Sequence, residues 1–162
     1  MKDITACFTG HRSIPADQHS IIRKRLTETI ISLIHQGYSR FCAGGALGFD
    51  TLAAQAVLML KHQYPNIRLI LMLPCPSQAR NWNEHDQAVY EDIKAHADEI
   101  IYTAQAHYKW CMHKRNRILV DSSSFCICYL VRTTGGTAYT VKYAQTQGIE
   151  VTNIAQNVES RQ

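Results

Sequence analysis

Short apolar runs alternate along this chain with longer stretches of helical period, and that alternation limits its fold more than any other feature. Ile4–Phe8, Tyr38–Ala43, Ile67–Leu73, Glu99–Thr103, Phe125–Val131 and Glu150–Ile154 read as strands. Ile22, Leu26, Ile30, Leu33 and Ile34 form a helical stripe within 16–36, followed by Gly37 at the helix C-terminus. The clearest period belongs to Phe49, Leu52, Ala53, Ala56, Val57 and Leu60, one face of a helix of about three turns. Further helices are predicted over 78–97, near 112–123, and from the 132–137 loop to Gln147 with Gly148 as its cap. Ile67–Leu73 and Phe125–Val131 are almost wholly apolar, as strands buried on both faces are. The pattern predicts an α/β chain with a mostly parallel sheet of about six strands. In such sheets ligands lie outside the C-terminal strand ends, at the point where the strand order reverses. The loops leaving the strands are therefore where chemistry is expected.

The length of 162 residues has room for one domain (1–162, core about 4–154). An apolar share of 46% and a charged share of 19% are globular values and exclude a disordered or fibrous chain. No apolar run reaches the roughly 18 to 20 residues of a membrane span. Residues 1–5 show no apolar leader, so a cytoplasmic protein with no membrane partner is expected. Cys7, Cys42, Cys75, Cys111, Cys126 and Cys128 lie mostly in strand-like runs, which predicts buried free thiols. The tail to Gln162 is polar and expected to fray. The net charge of +4 is a mild excess, compatible with an acidic ligand.

Three strand-end loops carry glycine. After the first strand come Thr9, Gly10, His11 and Arg12: a sharp turn, a phosphate-binding or acid/base imidazole, and a planar guanidinium suited to phosphate. The bland reading is a turn with solvated charges. After the second strand, Gly44-Gly45-Ala46-Leu47-Gly48-Phe49-Asp50 opens a helix whose N-terminus favours an anion. The loop is neither a G-x-G-x-x-G fingerprint nor a P-loop. Asp50 has two readings, a helix cap and an acceptor or acid/base toward a sugar. After the fifth strand, Thr134-Gly135-Gly136-Thr137 offers backbone donors at another helix start. Arg115 neighbours Leu119 at i, i+4, which sets it beside the buried edge of its helix as a phosphate clamp or a solvated cation. Trp82 sits at helical spacing and reads as core before it reads as a base-stacking group. His107, Cys111 and His113 match no zinc spacing, so no metal site is expected.

Phe8-Thr9-Gly10-His11-Arg12, the Gly44–Asp50 loop, Leu73-Pro74-Cys75-Pro76 and Gly135-Gly136-Thr137 together resemble the SLOG superfamily, most closely its YpsA-like branch, over about Ile4 to Ile154. The superfamily also holds the lysine-decarboxylase-like LOG proteins and the DprA/Smf proteins. The resemblance implies a Rossmann-like three-layer sandwich with helices on both faces of the sheet. It implies a nucleotide or nucleotide-derived ligand, such as an ADP-ribose-like one, held by Thr9, Gly10, His11, Arg12, Gly44, Gly45, Gly48, Asp50, Pro74, Arg115, Gly135, Gly136 and Thr137. The LOG motif Pro-Gly-Gly-x-Gly-Thr-x-x-Glu is altered here. Gly135-Gly136 match its leading glycines, but Thr134 replaces the proline and Lys142 the catalytic glutamate. Arg115-Asn116 is similar to the Arg-Lys-x-x-Met segment of that family, with Leu119 in the methionine place.

Three functions are weighed. The first is binding or sensing of a small phosphate-bearing nucleotide, with no cofactor. The second is a nucleotide N-glycosidase or phosphoribohydrolase with His11 as acid/base and Asp50 stabilising the ribosyl cation. The third, ranked last, is single-stranded nucleic-acid binding through Lys109, Lys114, Arg115 and Arg117. A homo-oligomer is left open.

Overall fold

The computed structural model describes residues 1–155. The tail that the sequence leads one to expect frayed lies outside the described residues. The strands are β1 Thr5–Gly10, β2 Arg40–Ala43, β3 Arg68–Leu73, β4 Glu99–Tyr102, β5 Phe125–Tyr129 and β6 Glu150–Asn153. They form one six-stranded sheet in the order β4-β3-β2-β1-β5-β6. Every pairing is parallel. The helices are α1 His19–His35, α2 Phe49–Leu60, α3 Glu84–His96, α4 Cys111–Asp121 and α5 Gly136–Thr146. Among the described residues no helix is long and apolar enough to cross a membrane. The expected Rossmann-like α/β layering is what the chain adopts.

Strand alternation assigns each helix to a face. Ala6 and Phe8, with Phe41, Leu69, Leu71 and Ile127, pack against α1, α2 and α3. The intervening residues Cys7, Cys42, Ile70, Met72, Cys126 and Cys128 face α4 and α5. All six cysteines are buried and free. Burial holds the Cys42 thiol up at about 12 and Cys128 likewise at about 12, so both are packed as neutral groups. The stripes read from sequence face the core: Ile22, Leu26, Ile30 and Leu33 on α1 and Phe49, Leu52, Ala53, Val57 and Leu60 on α2 are buried, and Ile34 and Ala56 are half-buried against them.

Strand ends shift by a residue or two from the expected bounds, and the largest departure is at α3. A helix over 78–97 is predicted, but α3 begins at Glu84. Pro74 and Pro76 impose turns after β3, and the Asn83 side chain accepts the Asp86 N–H at 2.8 Å, capping a later start. Trp82 therefore lies in the turn before the helix, edge-on to Tyr90 at 5.1 Å and packed on the core.

Strand order sets where the strand-end loops diverge. The chain steps from β1 outward through β2, β3 and β4, then crosses to β5 on the other side of β1. The loops after β1 and β5 thus leave adjacent strands in opposite directions and open a crevice between them.

Candidate functional site

That crevice is a cavity of about 310 Å³. Thr9, Gly10, His11, Arg12, Asp50, Arg115, Gly135, Gly136 and Thr137 all line it, so the structure brings together the end of β1 and its loop, the loop into α5 and that helix's start, and one residue each from α2 and α4. Gly10 is glycine for lack of room: a Cβ there would lie 2.4 Å from the Phe49 ring.

Arg115 is the polar member of the buried stripe Cys111, Arg115 and Leu119 on α4, only 3% exposed. Its Nη1 donates to the Gly44 carbonyl and to the Met72 carbonyl at 3.4 Å, and its Nε donates to Asn116 Oδ1 at 2.8 Å. A Cβ on Gly44 would come within 2.6 Å of the guanidinium, which is why that position is glycine. Arg115 thus bolts α4 to the ends of β2 and β3 and brings a buried positive charge beneath the crevice. Burial pulls its pKa down, and the Asp50 carboxylate opposes that pull.

Asp50 is 6% exposed. Its Oδ2 accepts the Ala46 N–H at 3.2 Å. Burial raises its pKa, while Arg115, the Ala46 N–H, Arg12 and the Gly44 N–H favour the charged form. Asp50 is not the cap of α2; Gly48 holds that position. The carboxylate instead folds back over the loop before the helix.

The α2 N-terminus is occupied by the protein itself. The Phe49 N–H donates to the His11 carbonyl at 3.1 Å. Gly48, at φ +76°, lies flat against the Arg12 carbonyl. The α5 N-terminus is different. Thr134, Gly135 and Gly136 are exposed, and nothing lies within 4 Å of a Cβ built on either glycine. Of the two helix starts named from sequence as anion sites, the one at Gly136 is open.

His11 links the two sides. Its Nε2 accepts the Val131 N–H at 3.0 Å, tying the β1 loop to the end of β5. A backbone N–H can only donate, so the ring proton resides on Nδ1. The ring stands edge-on to Tyr129 at 5.8 Å. Burial first, and then the Arg132 charge, lowers the imidazole pKa. A lowered folded-state pKa stabilises the protein above the unfolded value of about 6.5, and that contribution is lost as pH falls below it. The unfolding free energy should therefore fall as the pH is taken from about 7 toward 5. The His11→Gln variant, measured by urea denaturation across that range, should show a flatter profile. Parallel profiles would show that His11 does not carry the dependence.

Four residues named from sequence do not line the crevice. Gly44 and Gly48 are packed beneath or beside it, as described. Gly45 lines a separate small cavity with Trp82 and Tyr90. Pro74 lines a neighbouring cavity with Cys75, Gln78 and Arg80, which reaches the crevice only through Arg12 and Met112. Conversely, Ser13, Met112, His113, Asn116 and Arg132 line the crevice and were not selected as ligand-binding residues from sequence. Arg132 had a signal: a cation directly after a strand and before a glycine pair, the same grammar as Arg12 after Gly10. Asn116 carried only the likeness of its segment to the LOG family's Arg-Lys-x-x-Met, and His113 only a histidine cluster without zinc spacing, because their position depends on how α4 crosses the sheet edge.

Comparison with known proteins agrees with this architecture. A UPF0398 protein of Brevibacillus brevis is 29% identical over 106 residues, 64% of this chain and 56% of that protein. One of Halalkalibacterium halodurans is 31% identical over 116 residues, 70% of this chain and 59% of that protein. The chain thus spans under two thirds of the length of these relatives. Among solved structures, DNA processing protein A of Streptococcus pneumoniae superposes with a TM-score of 0.65 at 16% identity, covering 93% of this chain and 50% of that one. DNA processing protein A of Helicobacter pylori, described as binding single-stranded DNA, gives 0.66 at 17% identity, covering 99% and 73%. At such identities the likeness is one of fold. The family model YpsA matches residues 7–157, nearly the whole chain and every loop of the crevice, and on that match the chain belongs to the YspA SLOG family.

Proposed function

We propose that the crevice binds a nucleotide or a nucleotide-derived ligand through its phosphate. One observation carries the reading: an uncovered helix N-terminus at Gly136 and two exposed guanidinium groups, Arg12 and Arg132, line the same cavity at the β1/β5 switch point. The first N–H groups of α5 and its dipole favour an anion. Guanidinium forks match phosphate oxygens in pairs. The volume of about 310 Å³ lies at the lower end of small-ligand sites. His11 and Asp50 act by holding loops in place, and Arg115 adds charge from below.

Binding is favoured over hydrolysis by what surrounds the carboxylates. Lys142 is exposed on α5 and does not line the crevice, so nothing replaces the glutamate missing from the LOG-like motif. Asp50 is buried and turned back on its own loop.

Calorimetry with nucleoside mono- and diphosphates and ADP-ribose, beside the matching nucleosides, tests the reading. The phosphorylated compounds should bind at least about tenfold more tightly, the worth of one charged hydrogen bond. Arg132→Gln should weaken them and leave the melting temperature within a degree or so. A folded protein that binds none of the panel overturns the proposal.

A further inference from the structure

A second, shallower cavity of about 630 Å³ opens beside the crevice, between α4 and α5. Tyr108, Trp110, His113 and Tyr139 line it, with Lys114 and Arg117 on the same wall. Trp110 is 57% exposed and Tyr108 and Tyr139 are each 43% exposed. Large aromatic rings are ordinarily covered to a greater degree, and a cluster of uncovered ones marks a binding surface. The rings are held in a fixed arrangement. His113 stands perpendicular to Tyr139 at 5.1 Å and tilted by 55° to Trp110 at 5.3 Å. Lys109 Nζ lies 5.1 Å from the Trp110 ring centroid. His113 belongs to the walls of both cavities, so the two adjoin.

We infer that this groove is a base subsite: the nucleobase of the ligand stacks on the Trp110–His113–Tyr139 wall while its phosphate occupies the crevice. The inference rests on the phosphate-binding reading above and adds the part of the ligand that it leaves unassigned. A phosphate cradle alone would accept sugar phosphates and nucleotides alike. An aromatic wall next to it favours ligands with a flat π-face. Lys114 and Arg117 on the wall, with Lys109 against Trp110, outweigh its one carboxylate, Asp121, which the Tyr143 hydroxyl engages, so anionic ligands are favoured. The wall is sequence-tolerant by nature, since every base has such a face. It therefore separates nucleotides from bare sugar phosphates more sharply than one base from another.

The chain has two tryptophans, Trp82 and Trp110, and Trp82 is the more buried. In a Trp82→Phe background, fluorescence therefore reports on Trp110 alone. Addition of an adenine nucleotide should quench it, while ribose 5-phosphate and pyrophosphate should not. Trp110→Ala should weaken nucleotide binding on the order of 10- to 100-fold. The same variant should bind pyrophosphate within about twofold of wild type, and Trp110→Phe should retain most of the nucleotide affinity. If nucleotides bind wild type and Trp110→Ala equally, the base subsite is wrong and the phosphate reading stands. If Trp110→Ala loses pyrophosphate to the same extent, Trp110 serves the crevice and the inference fails. If no phosphate compound binds, both readings fall. Binding of a short oligonucleotide through Trp110 without mononucleotide binding would replace the inference with strand recognition.

Discussion

Replacing Arg115 with methionine is expected to destabilise the fold by about 3–5 kcal/mol, the range found when one partner of a buried charge interaction is removed. Methionine fills the stripe between Cys111 and Leu119 at similar length, so little of the loss is packing. The loss comes from groups left behind. The Gly44 and Met72 carbonyls lose a donor, and Asp50 loses its largest favourable charge. Against a typical stability of about 5–15 kcal/mol, this is a large fraction. The deficit also has a pH signature. Without Arg115, burial raises the Asp50 pKa further above the unfolded value of about 3.9. A raised carboxyl stabilises the protein below that unfolded value and loses its contribution as pH rises through the folded one. The variant should therefore be closest to wild type near pH 4 and furthest from it above neutrality. A denaturation midpoint that moves by the equivalent of less than about 1 kcal/mol would show that Arg115 is not the bolt described here.

Gly48→Ala should be comparably severe, for a different reason. The residue sits at φ +76°, where a side chain is strained by about 1–3 kcal/mol. In addition, its Cβ would lie 2.3 Å from the Arg12 carbonyl oxygen and 2.6 Å from that of His11. Both atoms are backbone, so relief requires moving the β1 loop and breaking the Phe49 N–H to His11 bond. Overpacking adds a further ~1–3 kcal/mol. Gly135→Ala is the control. It has a positive φ of +103° but nothing within 4 Å, so only the strain contributes. Urea denaturation should rank Gly48→Ala well below Gly135→Ala. Equal losses would mean that the contact with the β1 loop is not tight.

These two positions also show how far sequence alone could reach. The layer architecture was legible because each helix buries one stripe and each strand alternates between two apolar faces, as in Cys7 between Ala6 and Phe8. The start of α3 was not, because an apolar stripe running from Trp82 to Ala97 says nothing about the Asn83 cap that delays it. The glycine loops pointed to the strand ends where the crevice opens but not to their separate roles. Gly136 has open space around it, whereas Gly48 and Gly44 make room for backbone and for Arg115. That difference depends on how close the β1 loop and α4 approach, which is a tertiary distance with no local signature. The same holds for Arg115. Its i, i+4 relation to Leu119 placed it at a buried edge, but which carbonyls it would meet depended on the order of β2 and β3. The basic group of Lys109, Lys114, Arg115 and Arg117 is divided in the fold, since Arg115 is buried while the other three are exposed. Arg12, Arg132 and Arg115 thus gather around the crevice, and the other three cations flank the aromatic groove.

Whether phosphate is held at the open start of α5 is read from the dissociation constant of the tightest-binding nucleotide for wild type and for Gly136→Asp. Position 136 is the first residue of α5 and has free space around it, so an aspartate there is compatible with the fold and favoured by the helix dipole. Its carboxylate would lie at the same N–H groups that the phosphate requires. The variant should have an unchanged or slightly raised melting temperature and nucleotide binding weakened by at least about 100-fold, the combined effect of a lost charged hydrogen bond and a new like charge. Unchanged affinity in a folded Gly136→Asp protein would contradict phosphate binding there.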